Sequence, residues 1–148
     1  MSRLPSLAAQ VLALLAIASC GGEAPAPAPS SGGHVHVAPN GGKLIELGDH
    51  VANLELLYDR SSGKLRVHVL DAHAEAHVRI QAPELVLVRD GAPPIALHAL
   101  GSDLSGETVG DSSRFEGVLA DTPAAWTAQL SAIEVRGVRF ANVAIRYP

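Results

Sequence analysis

Residues 52–69 read ANLELLYDRSSGKLRVHV, and their period of two decides the fold class. Ala52, Leu54, Leu56 and Tyr58 fall on one side of an extended chain, and Leu65, Val67 and Val69 do the same a few residues later. Lys64, Arg66 and His68 fall on the opposite side, which is expected to face solvent. Asp59-Arg60-Ser61-Ser62-Gly63 between the two runs is rich in turn formers, so the pair is predicted to be a β-hairpin.

The same reading extends along the chain. Glu84 to Arg89 is a more continuously apolar strand, followed by the turn Asp90-Gly91 and a strand near Ile95 to Leu100. Ser102 to Ser113 is polar and glycine-rich, hence a loop, and Phe115, Gly117 and Leu119 alternate on a further strand. Asp121-Thr122-Pro123 is predicted to cap one helical turn before Trp126. Leu130 to Val135 and Val138 to Ile145 pair around Arg136-Gly137, a weaker hairpin signal than Asn-Gly. No segment has the pattern of a long amphipathic helix. Seven or eight short strands at regular spacing predict a single all-β domain over residues 38–148, an antiparallel β-sandwich of Ig-like arrangement, with a small barrel as the alternative. That length suits one domain with its own core. Trp126, Tyr58, Tyr147, Phe115 and Phe140 are the only aromatics, so the core is expected to be mostly Leu, Val, Ile and Ala.

Upstream of this domain the composition changes. Residues 1–19 have the parts of an export signal: Arg3, an apolar stretch from Leu7 to Ile17, and small residues before a cut. The stretch falls short of the roughly 20 apolar residues that span a bilayer. Ile17-Ala18-Ser19-Cys20 resembles the lipobox of bacterial lipoproteins, in which the cysteine becomes the lipid-bearing first residue of the mature protein. Cys20 is the chain's sole cysteine, so it has no disulfide partner within it, and lipidation gives it a use. Several acyl chains anchor firmly where one does not, since each buried methylene adds about 0.8 kcal/mol. Gly21, where an aspartate would resemble the inner-membrane retention signal, points to the periplasmic face of the outer membrane. Residues 20–37 follow as a tether, whose GGEAPAPAPSSGG favours extended polyproline-type backbone with flexible ends and cannot form a core.

The charge is −4, becoming −5 when Arg3 leaves with the leader, and no basic cluster is present. Nucleic acid is therefore not an expected partner; the membrane, through the lipid, is. Seven histidines are many for a chain of this size, and several fall at chelating spacings. His34 and His36 lie on one side of an extended backbone, about 6 to 7 Å apart at their α-carbons. Asp71, His73, Glu75 and His77 alternate with alanines: as a strand they share one face, and as a helical turn His73 and His77 still face together. Imidazole with carboxylate suits zinc or copper. The same alternation with alanine also describes a solvated edge with no ion. His50 and His98 are isolated in sequence, and His68 lies beside Lys64 and Arg66, where cations disfavour a ligand.

Pro39-Asn40-Gly41-Gly42-Lys43-Leu44-Ile45-Glu46-Leu47-Gly48, Leu54-Glu55-Leu56 and Leu70-Asp71-Ala72-His73-Ala74-Glu75 together resemble small bacterial envelope lipoproteins of unassigned function. They are also similar to the N-terminal β-domain of periplasmic adaptor subunits from heavy-metal efflux pumps of the RND type. The resemblance covers roughly residues 36–80. It implies a β-fold in the envelope, an association with metal homeostasis, and an efflux or other envelope protein as partner. Asn40 stands where that motif's histidine would be, and asparagine is a poor ligand for zinc or copper. Gly41-Gly42 is expected to make a turn of positive φ before the first strand.

Catalysis is not expected. Ser112-Ser113 and the scattered aspartates form no nucleophile elbow, and no glycine-rich phosphate loop is present. After His73, Ala74 stands where a zinc protease needs its general-base glutamate. Two readings follow: a lipid-anchored envelope protein that binds or buffers divalent transition metal, or a metal-independent, non-catalytic β-module that displays a surface to an envelope partner.

Overall fold

Eight strands follow one another in the computed structural model, which describes residues 36–148; the leader, Cys20, His34 and the tether up to residue 35 lie outside the described residues. They are β1 (Lys43–Leu47), β2 (Ala52–Asp59), β3 (Lys64–Leu70), β4 (Glu84–Val88), β5 (Ile95–Ala99), β6 (Arg114–Val118), β7 (Trp126–Val135) and β8 (Val138–Tyr147). The all-β expectation holds. All eight belong to one antiparallel sheet in the order β1-β2-β3-β6-β5-β4-β7-β8. The sheet curls until its two edge strands, β1 and β8, come into contact, giving a nearly closed barrel.

The predicted hairpin is β2–β3, with Tyr58 opposite Leu65 and Leu54 opposite Val69. Its apolar side faces the interior, where Leu54, Leu56, Leu65, Val67 and Val69 meet Leu85, Leu87, Leu97, Phe115 and Leu130. Fully burying each such side chain contributes about 1.5–3 kcal/mol. Tyr58, Trp126 and Tyr147 pack together near one end, the last two stacked with ring centroids 5.5 Å apart. At the β7–β8 turn, Arg136 and Gly137 both have positive φ (53° and 79°), as a tight two-residue hairpin turn requires.

Two local expectations need correction. The Asp121-Thr122-Pro123 segment is a turn, not a helical one: Thr122 has φ 40° and its N–H donates to Leu119 O. The Asp121 carboxylate cannot cap a helix because Arg89 holds it through both oxygens, at 3.0 and 2.8 Å. Of the glycine pair, Gly41 does have positive φ (75°), whereas Gly42 serves close approach: a Cβ there would lie 2.5 Å from Leu56 O and 2.8 Å from Glu55 Cγ.

The largest departure concerns the outer side of β2 and β3. Alternation turns Asn53, Glu55 and His68 outward, yet they are 2 %, 0 % and 9 % exposed. Two segments lie over them, the approach to β1 and the loop between β3 and β4. The barrel is thus locally double-layered, and a polar cluster is sealed between the layers.

Candidate metal centre

Two groups of histidines result from this covering. In the first, His36 precedes β1, His50 sits in the β1–β2 turn with φ 52°, and His73 lies in the β3–β4 loop. The His36 ring lies 6.0 Å from that of His50 and 5.9 Å from that of His73, centroid to centroid. Three imidazoles on one tetrahedral zinc, with Zn–N near 2.0–2.1 Å, place their centroids about 5 Å apart. Each of the two separations measured from His36 is about 1 Å wider than that. His36 Nε2 is buried with no hydrogen-bond partner among the described residues, as are Tyr58 Oη, Arg89 Nε and Trp126 Nε1; of these atoms only the imidazole nitrogen is a metal donor type. Carboxylates stand alongside: Glu46 Oε1 is 3.5 Å from His50 Nδ1 and Asp49 Oδ1 is 3.9 Å from His50 Nε2. Donor atoms of Glu46, Asp49 and His50 lie within 4.8 Å of one another. These residue types together suit a borderline divalent ion.

The β3–β4 loop explains why only one of its four expected ligands, His73, comes beside His36. Residues 71–76 are neither strand nor helix. They form a closed turn in which Asp71 N donates to Ala76 O and Ala74 N to Asp71 O, with Ala74 buried at φ 59°. The side chains therefore do not share a face. Asp71 is absorbed by the turn itself, its carboxylate accepting from the N–H groups of Glu75 and Ala76 at 2.9 and 3.3 Å. Those bonds, the Glu75 one foremost, hold its pKa below the ordinary value. Glu75 is exposed, and His77 joins the other group. His34 lies outside the described residues. Sequence spacing did not bring in His50, because it meets His36 only through the folding of the chain.

The second group is a hydrogen-bonded network. Glu55 and His68 are cross-strand neighbours, as are His68 and Arg114. Asn40 donates to Glu55 twice, from N at 2.8 Å and Nδ2 at 2.7 Å, and Gly42 N donates at 3.0 Å. Burial alone would raise the Glu55 pKa; these bonds, with His68 nearby, outweigh it and hold the pKa below the ordinary value. Asn40 Nδ2 also lies 3.2 Å from His68 Nδ1. Since the carboxylate fixes which end of the amide faces inward, Nδ1 accepts, and the neutral ring carries its proton on Nε2. Burial lowers the His68 pKa, and His77, Arg114 and Arg66 push it the same way against the pull of Glu55.

His77 stacks obliquely on His68 at 5.2 Å, and its Nδ1 lies 3.4 Å from Ser113 Oγ. The Ser113 hydroxyl donates to Glu107, so its oxygen accepts from His77. Glu107 also accepts from Ser105 Oγ, Ser113 N and Arg114, and its pKa falls to about 2 although burial opposes this. His68 is thus corrected from a solvent-facing position to a buried one. Glu107 is buried from within a segment that reads as polar loop, a placement sequence reasoning missed. Asn40 keeps a role here that needs no metal, bridging a carboxylate and an imidazole.

Compared with protein-family models, with curated proteins and with solved structures, the chain gives no match.

Proposed function

We propose that this chain is a lipid-anchored envelope protein that binds a divalent transition metal, zinc or copper, through His36, His50 and His73. Glu46 and Asp49 offer carboxylates beside His50. The observation that carries the reading is that the His36 ring, whose Nε2 is buried with no hydrogen-bond partner among the described residues, has the rings of His50 and of His73 each within about 6 Å, the three coming from separate segments. A lipid on Cys20 would hold the site at the periplasmic face of the outer membrane, and the resemblance to efflux adaptor domains suggests an efflux protein as its partner. The role is binding or buffering, with the ion as cargo.

Calorimetric titration of the purified protein with Zn²⁺ and Cu²⁺ tests it. The expected result is one ion per chain, with affinity lost on His36→Ala/His73→Ala and falling from about pH 7.5 to 5 as the imidazoles protonate. An affinity no tighter than that of an unfolded peptide containing the same histidines would end the metal reading and leave the interaction-module reading in its place. Labelled palmitate incorporated in a Cys20-dependent manner tests the anchor separately.

A further inference from the structure

Asn53 and Glu55 are neighbours on the outward side of β2, both buried, and both polar where apolar residues would seal the layer. Each holds a different one of the two covering segments. Glu55 takes three hydrogen bonds from Asn40 and Gly42, four and six residues after His36. The intervening chain is short and stiffened by Pro39 and by the Gly41 N to Ala38 O turn bond. Asn53 Nδ2 donates to the carbonyls of Asp71 and Ala72, both at 3.0 Å, immediately before His73. One strand thus fastens, by two side chains two residues apart, the segments that bring His36 and His73 to within 5.9 Å.

We infer that Asn53 and Glu55 are positioning residues for the metal site, Glu55 setting the placement of His36 and Asn53 that of His73. The inference rests on the site proposed above and adds how it is preorganised. A polar grip has a fixed register that apolar contact lacks, because an amide must meet particular carbonyls and a carboxylate particular N–H groups. Groups that orient metal ligands from behind typically change affinity by about 10–100-fold when removed. Here the orienting bonds go to the backbone of the ligand segments instead of the imidazoles themselves.

Paired substitutions separate positioning from general loosening. Zn²⁺ affinity is measured for the wild type, Asn53→Ala, Glu55→Gln, His73→Ala, His36→Ala and the four combinations of one β2 change with one histidine change. Asn53→Ala is expected to weaken binding about 10-fold, but less than about twofold once His73 is already alanine. Glu55→Gln should behave likewise with His36, and the crossed pairs (Asn53 with His36, Glu55 with His73) should retain their full losses. If Glu55→Gln does not fold, Asn40→Ala removes the one side-chain bond of the three without touching a strand, and should show a smaller loss with the same dependence on His36. Without metal, hydrogen exchange should quicken at the Glu75 and Ala76 amides in Asn53→Ala while the β2–β3 amides keep their rates. Unchanged affinity in the β2 variants, or equal losses whichever histidine is present, overturns the inference while the metal site stands. A wild type that binds no zinc overturns both.

Discussion

The two histidine groups lie on the same outer side of the barrel, yet they differ in who satisfies their nitrogens. His68 and His77 are each oriented at Nδ1 by a neighbour that is itself held by a carboxylate, Asn40 by Glu55 and Ser113 by Glu107. His36 and His73 have no comparable partner among the described residues, where His36 Nε2 is buried and unpaired. The comparison teaches that histidine count and spacing say little about ligation. What separates a structural imidazole from a ligand is whether the protein has already used its nitrogens. It also shows one group supporting the other, since the Glu55 that is sealed beside His68 grips the segment carrying His36.

This contrast can be broken in both directions. The largest expected effect is on stability in the sealed group: Glu55→Ala removes the buried acceptor of three hydrogen bonds, from Asn40 N, Asn40 Nδ2 and Gly42 N, and should cost about 3 kcal/mol by urea denaturation. His73→Ala, at an exposed site, should stay within about 0.5 kcal/mol in the same assay. The mirror experiment is on metal. His36→Ala/His73→Ala should weaken Zn²⁺ binding at least about 100-fold, or about 2.7 kcal/mol, whereas His68→Asn/His77→Gln should change it less than about threefold. Equal losses in the two pairs would erase the distinction drawn here.

Gly42→Ala sharpens the comparison by attacking the close approach that lets Gly42 N reach Glu55. With a Cβ 2.5 Å from Leu56 O, backbone must move, and a loss of about 2 kcal/mol is expected in the same denaturation assay. Acid should act on the sealed group in two stages. The lowered pKa of His68 means the unfolded chain takes up that proton first, so stability declines as pH falls below about 6.5, and His68→Gln should remove this stage. The lowered pKa values of Glu55 and Glu107 contribute stability that is whole above pH 4.5 and lost as pH falls through their folded values, about 2 for Glu107. Denaturation midpoints between pH 8 and 3 would trace both. The smallest effect is expected from His98, exposed and 3.8 Å from Glu84: His98→Ala should leave zinc affinity and stability unchanged within about twofold and 0.5 kcal/mol.

Much of the barrel was legible because strand alternation is a local property. The runs at 52–58, 65–69, 84–89 and 115–119 each state their inward side without knowledge of any partner, and the turn residues between them mark the reversals. The proposed ligand set was only half legible. His36 and His73 were readable as candidates from their neighbours, whereas His77, two alternations further on, was drawn to Ser113 by the isolated bridge between Leu70 and His77. His50 carried no signal in its own neighbourhood.

What this sequence determined by itself was an all-β domain, its strands and their inward faces, since those follow from a two-residue period acting over a few residues at a time. Only the tertiary structure decided that the strands make one curled sheet, that two segments fold back over β2, and which imidazoles meet as a result. Those outcomes depend on contacts between residues tens of positions apart, where register and hydrogen-bond satisfaction, not local pattern, set which atoms are left free.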